Sequence, residues 1–176
     1  MRRAVFLDRD GVINEVVNRD GRPASPRHLE EFRIVEGAAE STGRFKELGF
    51  IVIVVTNQPD IARGLAQAEV IEQMHDRIRR ELPVDDVRIC PHDDGDRCHC
   101  RKPLPGMLTD AARDLDIDLT RSFLIGDGAK DIEAGKKAGC TTILLDASYN
   151  EDVRPDYRAA DLKDAVDIVR RLAREI

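Results

Sequence analysis

The chain has 176 residues, 41% of them hydrophobic and 35% charged, with a formal net charge of −6. That length suits a single domain, 1–176, with a sizeable core, while the acidic balance argues against a nucleic-acid partner, which needs a basic face. No apolar run approaches the roughly 20 residues that span a bilayer, and Met-Arg-Arg leads into a strand without a secretory h-region; a cytoplasmic monomer with no membrane partner is expected.

In chain order, Val5–Leu7 is an apolar β-forming run that ends in Asp8-Arg9-Asp10-Gly11. Ala38–Leu48 has helical spacing and stops at Gly49. Phe50–Val55 is a second strand and runs into Thr56-Asn57-Gln58. Ala66–Leu82 reads as a helix halted by Pro83. Val87–Ile89 is a strand followed by a Cys/His-rich loop and Cys100-Arg101-Lys102-Pro103. Pro105–Leu115 is helical, and the strand Phe123–Ile125 leads into Gly126-Asp127-Gly128-Ala129-Lys130-Asp131. Asp131–Ala138 is a helix closed by Gly139, Thr142–Leu145 a strand, Ser148–Ala160 a polar loop with no assigned role, and Leu162–Leu172 a final helix. The strands lack polar alternation, as buried parallel strands do. Alternation of strand and helix indicates an α/β fold with a doubly wound parallel sheet and helices on both faces. Asp8, Thr56 and Asp127 all fall at carboxyl ends of strands, the edge where such sheets bind ligands.

Two carboxylates on alternate residues of a strand end point to the same side. Asp8 is a candidate nucleophile toward phosphorus, and Asp10 is near enough to act as its acid and base; the plainer reading is a capped turn. An anionic nucleophile approaching a phosphate needs a cation. Asp8, the Asp10 main-chain carbonyl and Asp127 offer the hard oxygens that suit Mg²⁺. Thr56 and the amides after it, at Asn57 and Gln58, are candidates for holding phosphoryl oxygens, or for capping a helix. Lys102 would stabilise the transferring group, though Arg101-Lys102 alone also describes a solvated pair. Asp131 is placed to hydrogen-bond Lys102 or a metal-bound water, or to favour a helix N-terminus. Arg9, Arg63, Arg101, Lys102 and Lys130 would concentrate positive charge near a phosphorylated small metabolite.

Three of the four cysteines lie in the stretch 90–100. Cys90, His92, Cys98 and Cys100 form a four-ligand set suited to tetrahedral Zn²⁺, with no open position and hence a structural role; unligated thiols are the alternative. Cys140 reads as a small buried residue.

Strand, Asp-x-Asp-Gly, then Thr56, Lys102 and Gly-Asp-x-x-x-Asp together resemble the haloacid dehalogenase (HAD) superfamily of aspartate-nucleophile phosphatases. Asp8–Asn14, Thr56–Gln58 with Ile61–Gly64, and the Cys/His loop before Cys-Arg-Lys-Pro resemble its histidinol-phosphate and heptose 1,7-bisphosphate phosphatase branch. The resemblance implies a three-layer sandwich, Mg²⁺, a structural zinc, Asp8 as nucleophile, Asp10 as acid/base, Thr56 and Lys102 on the phosphoryl group and Asp127 on the metal. Asn57, Gln58, Arg63 and Arg101 would contact substrate. The intervals between Asp10, Thr56 and Lys102 leave little room for a separate cap domain, which takes at least about 50 residues; none is expected. The expected activity is removal of the 7-phosphate from the heptose bisphosphate. Two departures bear on that: Pro59-Asp60 follows Gln58, and Gly128 stands where a basic residue is usual. Asp60 would favour a cationic substrate such as histidinol phosphate; a non-catalytic zinc-stabilised scaffold is the reading from another class.

Overall fold

Residues 1–174 are described by the computed structural model; Glu175 and Ile176, the end of the expected 1–176 domain, lie outside them. In chain order the elements are β1 (Arg3–Leu7), β2 (Val17–Arg19), β3 (Arg22–Ala24), α1 (Ala38–Glu47), β4 (Phe50–Asn57), α2 (Pro59–Ala62) and α3 (Ala68–Glu81). There follow β5 (Asp86–Cys90), α4 (Gly106–Leu115), β6 (Phe123–Gly126), α5 (Ala129–Ala138), β7 (Thr141–Leu145), β8 (Tyr157–Ala159) and α6 (Leu162–Leu172).

Six strands make one parallel sheet in the order β5-β4-β1-β6-β7-β8. Side chains of β1 alternate between two cores. Val5 and Leu7 pack with Val52, Val54, Phe45, Met74 and Val166 on the face covered by α1, α3 and α6. Ala4 and Phe6 pack with Ile53, Val55, Leu108, Ala111 and Ala134 beneath α4 and α5. Burial on both faces is why these strands are apolar throughout. The strand order reverses at β1, between β4 and β6, and a ligand crevice opens at the carboxyl ends there.

Two features depart from the sequence expectations. Tyr157–Ala159, inside the stretch read as a loop, pairs with β7 through Ile143–Leu145 as the sheet's edge strand. A small antiparallel hairpin pairs Val17–Arg19 with Arg22–Ala24; its turn, Asp20-Gly21, has φ of 54° and 77°, the left-handed pair that tight two-residue hairpins require. Among the described residues, no helix is long and apolar enough to cross a membrane.

Candidate active site

The chain leaves β1 at Asp8, whose N–H donates to the Ile125 carbonyl at 2.9 Å and so ties the strand end to β6. The backbone then folds around the Arg9 carbonyl, which accepts from the N–H groups of Ile13 (2.8 Å) and Asn14 (3.0 Å). Gly11 sits at φ 87°, and a Cβ there would run into the Asp127 carboxylate. Conformation and space both demand glycine at this position.

Lys102 is 2% exposed, and its ammonium is fully engaged. Nζ donates to Asp8 Oδ1 (2.7 Å), Asp131 Oδ1 (2.6 Å) and the Val55 carbonyl (2.9 Å). Asn57 fixes its backbone, donating from Nδ2 to the Lys102 carbonyl (2.9 Å) and accepting from the Lys102 N–H at Oδ1 (3.0 Å). Burial alone would favour the neutral amine, but the Asp131 and Asp8 carboxylates outweigh it and push the Lys102 pKa up. Asp131 also accepts from the Gly128 N–H through Oδ2 (3.1 Å), at the start of α5.

Asp10 has a different environment. Its Oδ1 accepts from Arg9 (2.9 and 3.1 Å) and Asn14 (2.9 Å), and its Oδ2 from Ser25 and Gln58 (2.8 Å each). Burial would raise its pKa, but Arg9 and these hydrogen bonds hold it below the usual carboxylate value. Asp8 goes the other way. Burial and then the neighbouring Asp131 push it well above that value, against the pull of Lys102. Such divergent pKa shifts in a cleft mark a site where acid–base roles can separate.

Carboxylate oxygens of Asp8, Asp127 and Asp131 lie within 4.8 Å of one another. Burial, with Asp131 adding to it, lifts Asp127 to about 6 despite a hydrogen bond from Tyr149. Three carboxylates facing one ammonium leave an excess of negative charge, and hard oxygens are what Mg²⁺ takes, so these residues fit a divalent cation. Asp131, expected to hydrogen-bond Lys102 or a metal-bound water, adds its side chain to this cluster. The loop after β7, with no role foreseen from sequence, supports this corner. The Tyr149 hydroxyl donates to Asp127 Oδ2, and buried Asn150 bridges the carbonyls of Asp127 and Leu145 (2.8 Å each).

Asp8, Asp10, Ser25, Asn57, Lys102 and Gly128–Asp131 line a cleft of about 280 Å³. Thr56 is fully buried, its hydroxyl accepting from Gln58 Nε2 at 2.8 Å. Arg9 does not serve the mouth as a phosphate-attracting charge. It is wholly buried and turned onto Asp10. The other cations alternate with carboxylates, Arg27, Arg63 and Arg101 outside the cleft and Lys130 on its lining: Arg27 on Asp60 (2.7 Å), Arg63 on Asp60 (3.5 Å) and Asp93 (2.5 Å), Arg101 on Asp94 (2.7 Å), and Lys130 3.8 Å from the same Asp94 oxygen. Asp60 is therefore neutralised twice over, which removes the free negative charge expected to attract a cationic substrate. Lys130 places a cation beside this edge two residues after Gly128.

In the Cys/His loop, Cys90 Sγ lies 3.5 Å from His92 Nδ1 and 3.8 Å from Cys98 Sγ, and His92 Nδ1 is 3.3 Å from Cys100 Sγ. Ligands about 2.3 Å from a tetrahedral zinc stand about 3.8 Å apart, so these edges fit; Cys90–Cys100, at 2.9 Å, is tighter. His99 faces away and pairs with Asp110 at 2.7 Å. The loop ends immediately before Arg101 and Lys102.

Several known proteins resemble this chain. A family model described as HAD-hydrolase-like matches residues 99–165. The D-glycero-beta-D-manno-heptose-1,7-bisphosphate 7-phosphatase of Rhodopseudomonas palustris is 40% identical over 150 residues, covering 78% of this chain and 80% of that protein. The D-glycero-D-manno-heptose-1,7-bisphosphate 7-phosphatase of Chlorobaculum tepidum is 36% identical over 188 residues, 93% and 92% of the two chains. The crystal structure of D,D-heptose 1,7-bisphosphate phosphatase from B. bronchiseptica, complexed with magnesium and phosphate, superposes with a TM-score of 0.84 at 29% identity, covering 97% of this chain and 99% of that one. The chain belongs to the phosphatases of the HAD superfamily, in the same family as these enzymes.

Proposed function

We propose that the chain is a Mg²⁺-dependent phosphomonoesterase that works through an aspartyl-phosphate on Asp8 and removes the 7-phosphate of D-glycero-D-manno-heptose 1,7-bisphosphate. The observation that carries the chemistry is the Lys102 ammonium on Asp8 Oδ1, with Asp127 and Asp131 beside it. Asp8 attacks phosphorus while Lys102 stabilises the charge on the phosphoryl oxygens. Asp10 protonates the leaving alkoxide, then takes a proton from the water that hydrolyses the acyl phosphate. The donors around Asp10 favour the base half of that work. In the acid half, a phosphate anion brought alongside raises its pKa, as a neighbouring like charge does. Asp8, the Asp10 carbonyl and Asp127 would hold Mg²⁺, whose charge lets an anionic nucleophile approach a phosphate. Thr56, Asn57 and Gln58 act here chiefly by ordering Asp10 and Lys102, while Arg63 and Arg101 stand outside the cleft toward the substrate body.

The substrate assignment rests on the relatives, which bear that name across most of the chain, and on the paired state of Asp60, which takes away the feature favouring histidinol phosphate. Phosphate release with Mg²⁺ or with EDTA, across both heptose bisphosphate anomers, histidinol phosphate, simple sugar phosphates and nucleotides, tests it. A hundredfold preference in kcat/KM for the heptose compound, about 2.7 kcal/mol of transition-state discrimination, is expected, with EDTA abolishing release. Preference for histidinol phosphate overturns the substrate, and absence of all turnover overturns the enzyme.

Cys90, His92, Cys98 and Cys100 are proposed to hold a structural zinc that pins the loop leading to Lys102. Cys100→Ala should lower the melting temperature by about 10 °C, since each kcal/mol shifts a chain of this size by roughly 2–4 °C, and purified protein should carry about one zinc per chain. A zinc-free protein with an unchanged melting temperature would remove the metal from the account.

A further inference from the structure

Arg9 and His75 are buried titratable groups that the chemistry above does not use. Arg9 is 0% and His75 1% exposed. His75 lies on the buried stripe of α3 with Ile71, Met74 and Ile78, a face that packs into the core beside the sheet. Burying a guanidinium there is costly unless every N–H is occupied. Arg9 meets most of that demand, in two directions. Nε and one terminal nitrogen donate to Asp10 Oδ1 (3.1 and 2.9 Å). The other terminal nitrogen points to His75 Nε2 at 3.2 Å and the Met74 sulfur at 4.0 Å. The guanidinium also lies over the Phe32 ring, 5.7 Å from its centroid.

An arginine can only donate, so His75 Nε2 must present its lone pair and the ring proton must sit on Nδ1. That nitrogen faces Glu72 Oε2 at 3.5 Å, the acceptor such a tautomer needs. Burial, then the Arg9 charge, holds the imidazole pKa at about 4, so the ring stays neutral and able to accept. The result is a directed line from Glu72 through His75 and Arg9 to Asp10.

We infer that His75 is a positioning residue for Asp10, acting through Arg9: its lone pair fixes the guanidinium, and the guanidinium fixes the rotamer of the carboxylate that protonates the leaving group. The inference rests on the reading of Asp10 as acid/base. Ser25 and Gln58 hold the other oxygen, so loss of the His75 acceptor loosens Asp10 without freeing it.

Leaving-group dependence tests this in the full chain. An alkoxide needs its proton in the transition state, whereas p-nitrophenolate leaves without one. His75→Asn moves the acceptor away from the Nε2 position and His75→Gln keeps an oxygen near it; both are polar and of similar bulk. Relative to wild type, His75→Asn should lose about tenfold in kcat/KM on the heptose bisphosphate, below the 10²–10⁴ a complete acid supplies, but less than about threefold on p-nitrophenyl phosphate. His75→Gln should recover most of the loss on the alkyl substrate. Equal losses on both substrates, or a Gln variant as impaired as the Asn variant, overturns the role of His75. Asp10→Asn on the same pair is read separately: a uniform loss there overturns Asp10 as the acid, whatever His75 does.

Discussion

Asp8→Asn should end turnover while leaving the fold intact. The amide keeps an oxygen for the Lys102 ammonium, now at 2.7 Å from Oδ1, and preserves side-chain volume in the largely buried turn, but it is no nucleophile toward phosphorus. A loss of about 10⁴–10⁶-fold in kcat is expected, the range seen when a covalent nucleophile is removed from a site that otherwise stays assembled. Phosphate release measures the loss, and mass spectrometry after acid quench should find a phosphoryl adduct on wild type and none on the variant. Residual activity of more than about one per cent, against the several orders of magnitude that nucleophile loss costs, would mean that water attacks directly and that no aspartyl-phosphate lies on the path.

Lys102→Met should damage both stability and rate. The methionine fills the space of the lysine stem but removes all three donated hydrogen bonds. Asp8 and Asp131 are then left as like charges with the Val55 carbonyl unpaired. Removing one partner from a buried ion pair costs about 3–5 kcal/mol, or a fall of about 10 °C in melting temperature at this chain length. Loss of a preorganised charge on the transferring phosphoryl group costs a further 10²–10³-fold, roughly, in kcat. Saturating Mg²⁺ should restore part of the stability, because it supplies positive charge to the same carboxylates, but not the rate. A variant as stable as wild type without Mg²⁺ would show that Asp8 and Asp131 tolerate each other unaided.

Much of this was readable from the residues, for a physical reason. The central strands are buried on both faces, so their identity shows as unbroken β-branched runs, and the observed bounds differ from expectation by only a few residues. The edge strand Tyr157–Ala159 is half exposed and carries Tyr and Arg, so it lacks that signature. The Val17–Ala24 hairpin has polar strands of three residues, although its Asp20-Gly21 turn is a strong local signal. At the site, the structure brings together the strand-end aspartates and Lys102, which the four motifs pick out jointly although Arg101-Lys102 alone reads as a solvated pair. The groups that order them were not legible. Ser25, Tyr149 and Asn150 lie in loops with no periodicity, and His75 occupies a helical core position where a histidine reads as packing. Arg9 shows the opposite limit: a cation between two strand-end carboxylates suggests phosphate attraction, yet tertiary structure buries it against Met74, His75 and Phe32.

The Cys/His cluster and the carboxylate–lysine cluster also differ in how much chain must come together to close them. Cys90 and Cys100 are 10 residues apart, whereas Lys102 and Asp8 are separated by 94. For flexible segments the entropic cost of closure grows with the logarithm of length, and this ratio adds about 2 kcal/mol to the longer contact. A chain emerging from the ribosome can thus assemble its Cys/His loop from one short stretch. Asp8 waits on its strand until β6 has been made, because only then do Ile125 and Asp127 arrive. During synthesis the Cys/His loop can therefore close early, and the contact between Lys102 and Asp8 only late.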